Sequence, residues 1–239
     1  MNETSARRGA SPPWLRIWVE AIVIVGSILL AFGIDAAWDN RGEDRRREAL
    51  YAAIRNDMAR AMDEVERVAG HHQGGWSAAA ALLDLRDVDP RDPDQSRRVD
   101  SLVAAAWGAT ASYDATLGAV ENLFGGGGLD LVTDADLAYE LTAFPALVAD
   151  LGREQVKLQA TADELHAYLG NEGVDLSLLD LPWFDVPWET GNAGTQRIVT
   201  SSRFRGLVSM LWYKYNNTTG DLNGMRDAIV RIEALLPGA

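Results

Sequence analysis

The sequence predicts a mainly α-helical protein: an N-terminal transmembrane helix followed by an extramembrane helical bundle. Three observations predict it. Residues 17–34 read IWVEAIVIVGSILLAFGI, seventeen uncharged residues in eighteen. At about 1.5 Å per residue such a helix spans roughly 27 Å, enough for the hydrocarbon core. Downstream, apolar residues recur at helical spacing with charges between them. Strand-type alternation is nearly absent, so a helical bundle is the economical fold for the remaining ~200 residues.

The elements follow in order. Residues 1–16 form a short polar tail with Arg7, Arg8 and Arg16. Pro12 and Pro13 stand before the membrane helix, where proline is tolerated. Trp14 and Trp18 mark one interface of the span at residues 17–34, and Trp38 with Asp35 marks the other, as an aromatic belt does. Glu20 lies in the first turn, where its carboxylate meets the positive end of the helix dipole. It either snorkels to the head groups or makes a polar contact to another subunit. Gly26, Gly33 and Ala37 share one face, and Ser27 with Ala31 adds a small-xxx-small pair, a pattern that lets helices approach closely in lipid.

A juxtamembrane helix over residues 35–70 leads into the domain, with Leu50, Ile54, Ala61, Met62, Val65 and Val68 at helical spacing and Gly70 as its stop. The domain, residues 71–239, begins with a short helix over residues 76–85 and the turn-rich RDVDPRDPDQ loop. A helix follows over residues 95–107, then one capped by Ser112 or Asp114 and running to Phe124. Gly125 to Gly128 break the chain. Thr133 is the expected N-cap of a long helix to about Leu169, kinked or broken at Pro145. Residues 170–194 form a loop holding Pro182-Trp183 and Pro187-Trp188. The last helix covers residues 197–236, with an expected interruption near residues 216–220.

Charge and composition bound the function. The chain carries net charge −13, and the part from Glu48 onward holds 15 basic and 29 acidic residues. Such a domain repels nucleic acid and anionic head groups. It is suited to basic partners or cations, or serves solubility alone. With no cysteine there is no disulfide framework, thiolate metal site or cysteine nucleophile. Ala31-Phe32-Gly33 loosely fits a signal-peptidase site, but the apolar run exceeds a usual h-region of about 7–15 residues, so an uncleaved anchor is expected. Arginines flank both ends of the span and do not decide orientation. A short N-tail before a large domain suits a cytoplasmic N-terminus and a periplasmic domain at a bacterial inner membrane.

No chemistry-bearing constellation stands out. His71 and His72 are adjacent, His166 is remote, and no second ligand spacing supports a metal site, so the pair reads as polar linker. Asp87, Asp89, Asp92 and Asp94 fail the calcium-loop pattern because Arg91 and prolines interrupt it. The four glycines lack the Gly-Lys-Ser/Thr of a phosphate loop, and no G-x-S-x-G elbow appears. No catalytic, cofactor-binding or metal-ligating residue is therefore nominated. Trp183, Phe184 and Trp188 sit between prolines and are rigid interface anchors or caps on the bundle's own core. Trp212, Tyr213 and Tyr215 fall in a normal helical pattern and are expected in the core.

Two stretches carry a resemblance. They are EAIVIVGSILLAFGIDAAWDNRGEDRRREALYAAIRNDM, residues 20–58, and SYDATLGAVENLFGGGGLDLVTDADLAYELTAF, residues 112–144. They resemble a widespread, uncharacterised bacterial family of single-pass membrane proteins with a helical domain of unknown function. In its pattern a Glu opens the membrane helix and an acid plus Trp closes it, matched by Glu20, Asp35 and Trp38. Tyr51, Arg55 and Asp57 match a following signature. Tyr113, Leu117, Leu129, Leu131, Val132 and Asp134 match a second, while the four glycines depart from its usual turn. The resemblance covers the anchor and about half of the domain, not the Pro-Trp loop, and implies topology and fold rather than an activity.

The functional expectation is a non-catalytic accessory or scaffold subunit contacting the lipid bilayer and other membrane-protein subunits. Energy-transducing complexes are natural hosts, a photosynthetic reaction-centre–antenna assembly being one example that no residue selects. Self-association through the Gly26/Gly33 face is a further expectation. The alternative is a membrane-anchored sensory or ligand-binding bundle, against which stands a 16-residue tail with no room for an output domain. A membrane-anchored hydrolase has the least support.

Overall fold

The computed structural model describes residues 13–89, 91–179 and 193–238. Six α-helices appear among them: α1 (Pro13–Asp84), α2 (Pro93–Gly108), α3 (Gly118–Gly125), α4 (Ala135–Asn171), α5 (Leu176–Leu179) and α6 (Ser202–Leu235). Two 3-10 turns join them, Gly128–Leu131 and Thr195–Arg197, and no strand is present among the described residues. The chain divides into two compact units, Met1–Leu50 and Tyr51–Ala239.

Described by itself, the first unit is the N-terminal part of α1. Its apolar side chains are exposed all round: Ile22, Val23, Ile24, Val25, Ile28, Leu29, Leu30, Phe32 and Ile34 are each about half or more accessible. Among the described residues, one helix is long and apolar enough to cross a membrane.

The second unit is a bundle of three long helices. Its logic is a spacing of three and four residues, or their sum of seven, along the main line of buried positions. In α1 these are Tyr51, Ile54, Met58, Ala61, Val65, Val68, His72, Gly75, Ala79 and Leu82. In α6 they are Phe204, Val208, Leu211, Tyr215, Thr218, Leu222, Met225, Ile229 and Ile232. In α4, Leu137, Leu141, Phe144, Leu151, Leu158, Ala162, Leu165 and Leu169 follow the same beat. A 3.5-residue repeat keeps each apolar seam turned to its neighbours, as in left-handed supercoiled bundles. Helices α4 and α6 run antiparallel, shown by Arg231 with Glu140 (2.8 Å) near one end and Arg203 with Glu164 (2.5 Å) near the other. Helix α1 is also antiparallel to α6, because Arg55 donates to Pro237 O (2.9 Å) while Trp76 meets Trp212 at 6.1 Å.

Several sequence expectations are corrected. Gly70 does not stop α1, which continues to Asp84 and absorbs the expected helix at residues 76–85. A mid-helix glycine costs about 1 kcal/mol, less than the burial of Val68, Ala79 and Leu82 along the seam returns. The helix expected from Ser112 or Asp114 begins only at Gly118. Instead, the Ser112 hydroxyl donates to Asp114, and residues 110–117 run as a non-helical strap. Asp134, not Thr133, caps α4 by accepting the Leu137 N–H at 2.8 Å. Pro145 does not break α4; Leu141, Phe144 and Leu151, all buried around it, hold the helix together despite the lost N–H. No interruption occurs at residues 216–220. There Thr218 and Thr219 return their hydroxyls to Lys214 O (2.9 Å) and Tyr215 O (2.8 Å), satisfying themselves within the helix. Of the three aromatics expected in the core, Tyr215 is fully buried, Trp212 is half-buried and Tyr213 is exposed. His72 is a fully buried seam residue rather than linker.

Candidate functional site

Two places in the molecule combine unusual surface with unusual chemistry: the exposed span of α1, and the strap at residues 110–117 with the groups that hold it.

Along the span, the small residues Gly26, Ser27, Ala31, Gly33 and Ala37 are exposed, and an added Cβ at Gly26 or Gly33 would meet nothing within 4 Å. Ser27 donates its hydroxyl to Val23 O at 2.7 Å, so its polar atom is satisfied inside the helix, which suits an apolar medium. Trp14, Trp18 and Glu20 are exposed near one end, Asp35 and Trp38 near the other. Trp183, Phe184 and Trp188 lie outside the described residues.

The strap lacks the backbone pairing of a helix, so side chains supply its partners. From α1, Arg67 donates to Ser112 O (2.9 Å) and clamps Glu64 through both guanidinium arms (2.8 and 2.6 Å). Glu64 in turn accepts the Asp114 N–H (3.2 Å), and the Arg67 hydrogen bonds hold its carboxyl below the usual carboxylate range. From α4, Gln155 works both ways, donating to Ala111 O (3.3 Å) and accepting the Tyr113 N–H (3.1 Å).

His72 completes the clamp. Its Nε2 lies 2.9 Å from Ala111 O; a carbonyl only accepts, so Nε2 carries the proton. Its ring packs edge-on against Tyr215 at 5.6 Å, and its Nδ1 is buried without a partner. Burial is the main force lowering its pKa, with the positive charge of Arg67 adding to it.

Two buried aspartates act in the same way. Asp57 in α1 accepts the N–H groups of Ala119 (2.7 Å) and Val120 (3.3 Å), the first turn of α3. It thereby supplies the cap that Leu117 cannot, and Arg60 pairs with its other oxygen at 2.5 Å. Asp100 in α2, fully buried, accepts the Ala193 N–H (2.7 Å), the Thr195 N–H (3.3 Å) and the Thr195 hydroxyl. At the other end of α1, Arg205 donates to the carbonyls of Leu83 (2.6 Å) and Leu85 (3.1 Å), partners the helix terminus needs.

The motif residues of the sequence reading are distributed over these joints. Tyr51 donates to Leu131 O at 3.4 Å, Arg55 to Pro237 O, Asp57 caps α3 and Asp134 caps α4. Asp92, one of the loop acids, accepts from Asp94 N and Gln95 N to start α2 behind Pro93. Its hydrogen bonds to those N–H groups lower its pKa. His166 stacks on Trp107 at 4.4 Å, far from the other histidines in role.

The sequence reading missed Asp100, His72, Gly75 and Arg205. A signal existed for His72, since it keeps the three–four spacing after Val65 and Val68. Another existed for Asp100, which follows Val99 in the repeat that continues to Val103.

The strap borders a groove of about 390 Å³ lined by Thr110, Ser112, Tyr113, Gln155, Val156 and Gln159 among others. Tyr113 carries a shielded hydroxyl with no hydrogen-bond partner there, and burial pushes that hydroxyl's pKa up. Among the described residues, no three His, Cys, Asp or Glu side chains converge as a metal site. No protein-family model, curated protein or solved structure matches this chain.

Proposed function

We propose that this chain is a non-catalytic accessory or scaffold subunit of a bacterial membrane assembly, held by the exposed span of α1 and presenting its acidic bundle outside the bilayer. The observation that carries the reading is the solvent exposure of the whole apolar run from Ile22 to Ile34, a surface no water-facing helix keeps. Trp14, Trp18 and Trp38 fit the two head-group zones. The commitment of Asp57, Asp100 and His72 to backbone joints supports a structural role for the domain, because the buried titratable groups are used in holding segments together. α4 runs to Asn171 and α5 covers Leu176–Leu179, so the expected 170–194 loop is in part helix; Trp183, Phe184 and Trp188 of the two Pro-Trp units are the residues we assign to a partner contact on sequence grounds. In this reading the N-terminal side of the span faces the cytoplasm and the bundle faces the periplasm.

The test is extraction of the native protein from its own membranes in mild detergent. Co-purification with stoichiometric subunits is expected and names the host. A lone chain, or a homodimer with no other subunit bound, overturns the scaffold role. A C-terminal reporter active only in the cytoplasm overturns the orientation.

One observation favours a second reading, a sensory or ligand-binding bundle: the unpartnered Tyr113 hydroxyl among the groove-lining residues. A ligand donating or accepting there would stabilise the domain saturably. Tyr113→Phe would abolish that shift and leave the basal melting temperature in place.

A further inference from the structure

The three–four repeat that builds the bundle does not begin at Tyr51. Counting back from it by alternating four and three residues gives Arg47, Asp44, Asn40, Ala37, Gly33, Leu30, Gly26 and Val23. From Tyr51 to Leu82 the positions of this register are buried. In the first unit they are exposed, Arg47 alone being partly covered. Small residues on this line would not by themselves name an occupant. The polar residues on it do. Asp44 and Arg47 are of opposite charge, and their side chains meet at 3.3 Å within the helix through Arg47 Nη1. Arg47 Nε, shielded from solvent, has no acceptor. Asn40 occupies a seam position just beyond Trp38, where a single buried amide in a coiled coil sets register and strand number.

We propose that residues 23–47 are the seam of a parallel homodimer, in which a second copy of this chain lies along the register that the domain fills intramolecularly. Copies inserted with the same orientation must pair in parallel. Each Asn40 then faces its equivalent. The two Asp44 and two Arg47 form a ring of zero net charge, in which the partner's Asp44 offers Arg47 Nε the acceptor it lacks. Gly26 and Gly33, which leave open space, let the two backbones approach within the bilayer. The inference rests on the membrane anchoring proposed above, not on the identity of any host complex.

The chain has no cysteine, so single cysteines can be placed in the full-length protein and oxidised in its own membranes. Disulfide-linked homodimers are expected with Ala37→Cys, Asn40→Cys and Asp44→Cys. They are not expected with Asp39→Cys, Gly42→Cys or Arg46→Cys, which leave the seam. In the Asn40→Cys background, Asp44→Arg should abolish the cross-link and Asp44→Arg with Arg47→Asp should restore it. No dimer at any position, cross-linking without this periodicity, adducts only to another protein, or an exchange that fails to rescue each overturns the seam. Carbonate extraction of the same membranes separates the two levels. A chain that washes out removes the anchor and the seam with it, whereas a retained chain with no seam dimer overturns the seam alone.

Discussion

Helix α1 carries one spacing through two kinds of surroundings. Between Tyr51 and Leu82 its seam is buried while the opposite faces hold Arg60, Glu66, Arg67 and other charges. Between Ile22 and Ile34 every face is apolar and every face is exposed. In water, burying one stripe while solvating the rest is the stable arrangement for a helix. In lipid nothing is gained by hiding leucine from leucine, so shape and polar groups choose the neighbours. The difference teaches that an identical register is buried as core in one segment and left exposed in the other.

The largest test of that contrast is charge. Leu29→Lys with Leu30→Lys should cost about 5–7 kcal/mol of insertion, taking ~2.5–3.5 kcal/mol per charge near the centre of a membrane helix. The protein should leave the carbonate-resistant fraction. Met210→Lys with Val230→Lys, both on exposed sites of α6, should shift stability by no more than about 0.5 kcal/mol each.

Next comes the buried polar joint. Asp100→Ala leaves the Ala193 and Thr195 N–H groups and the Thr195 hydroxyl without their acceptor. Urea unfolding in mild detergent should report a loss of about 3–9 kcal/mol, at ~1–3 kcal/mol for each of the three stranded groups. A loss below about 1 kcal/mol would mean that other groups take over.

Glycine gives a direct pairwise comparison, since Gly75 and Gly26 lie on the same register. A Cβ at Gly75 would sit 2.6 Å from the Tyr215 hydroxyl and 2.7 Å from Ala109 Cβ, and that hydroxyl donates to Ala106 O at 2.7 Å. Gly75→Ala should therefore destabilise the bundle by about 1–3 kcal/mol through overpacking. Gly26→Ala should leave the melting temperature of the chain unchanged.

The smallest effect is the pH response of His72. Its folded pKa is lowered by burial, so below about pH 6.5 the unfolded chain binds the proton that the folded chain refuses. Stability is complete above that pH and falls as pH drops toward the folded pKa, with a slope of at most about 1.4 kcal/mol per pH unit. The charged and titratable groups around it are Arg67 and His71 on α1 and Tyr215 on α6. None of them offers a negative charge near neutral pH. His72→Gln, which keeps a donor for Ala111 O, should flatten the profile between pH 5 and 7.

Much of the architecture was legible because helical periodicity is local. The span at residues 17–34, the continuation past Asp35, the helix ending near Phe124 and the long helices before and after the Pro-Trp loop could all be read from spacing. Terminators were read less well. Gly70, Pro145 and the Asn216–Gly220 stretch each carry an intrinsic penalty for helix, and each sits beside buried seam residues that outweigh it. The joints were the least legible part. Asp57, Asp100, Gln155 and Arg205 meet partners tens of residues away, and no local pattern separates such a carboxylate from a solvated one.

By itself the sequence determined which segments are helical, which segment is apolar enough for a membrane and where the chain carries its negative charge, since these follow from residue type and short-range spacing. The tertiary structure alone decided where α1 ends and α3 begins, which polar side chains are buried and what each holds. Those outcomes depend on balancing a local cost of about 1–3 kcal/mol against contacts that exist only once α1, α4 and α6 lie side by side.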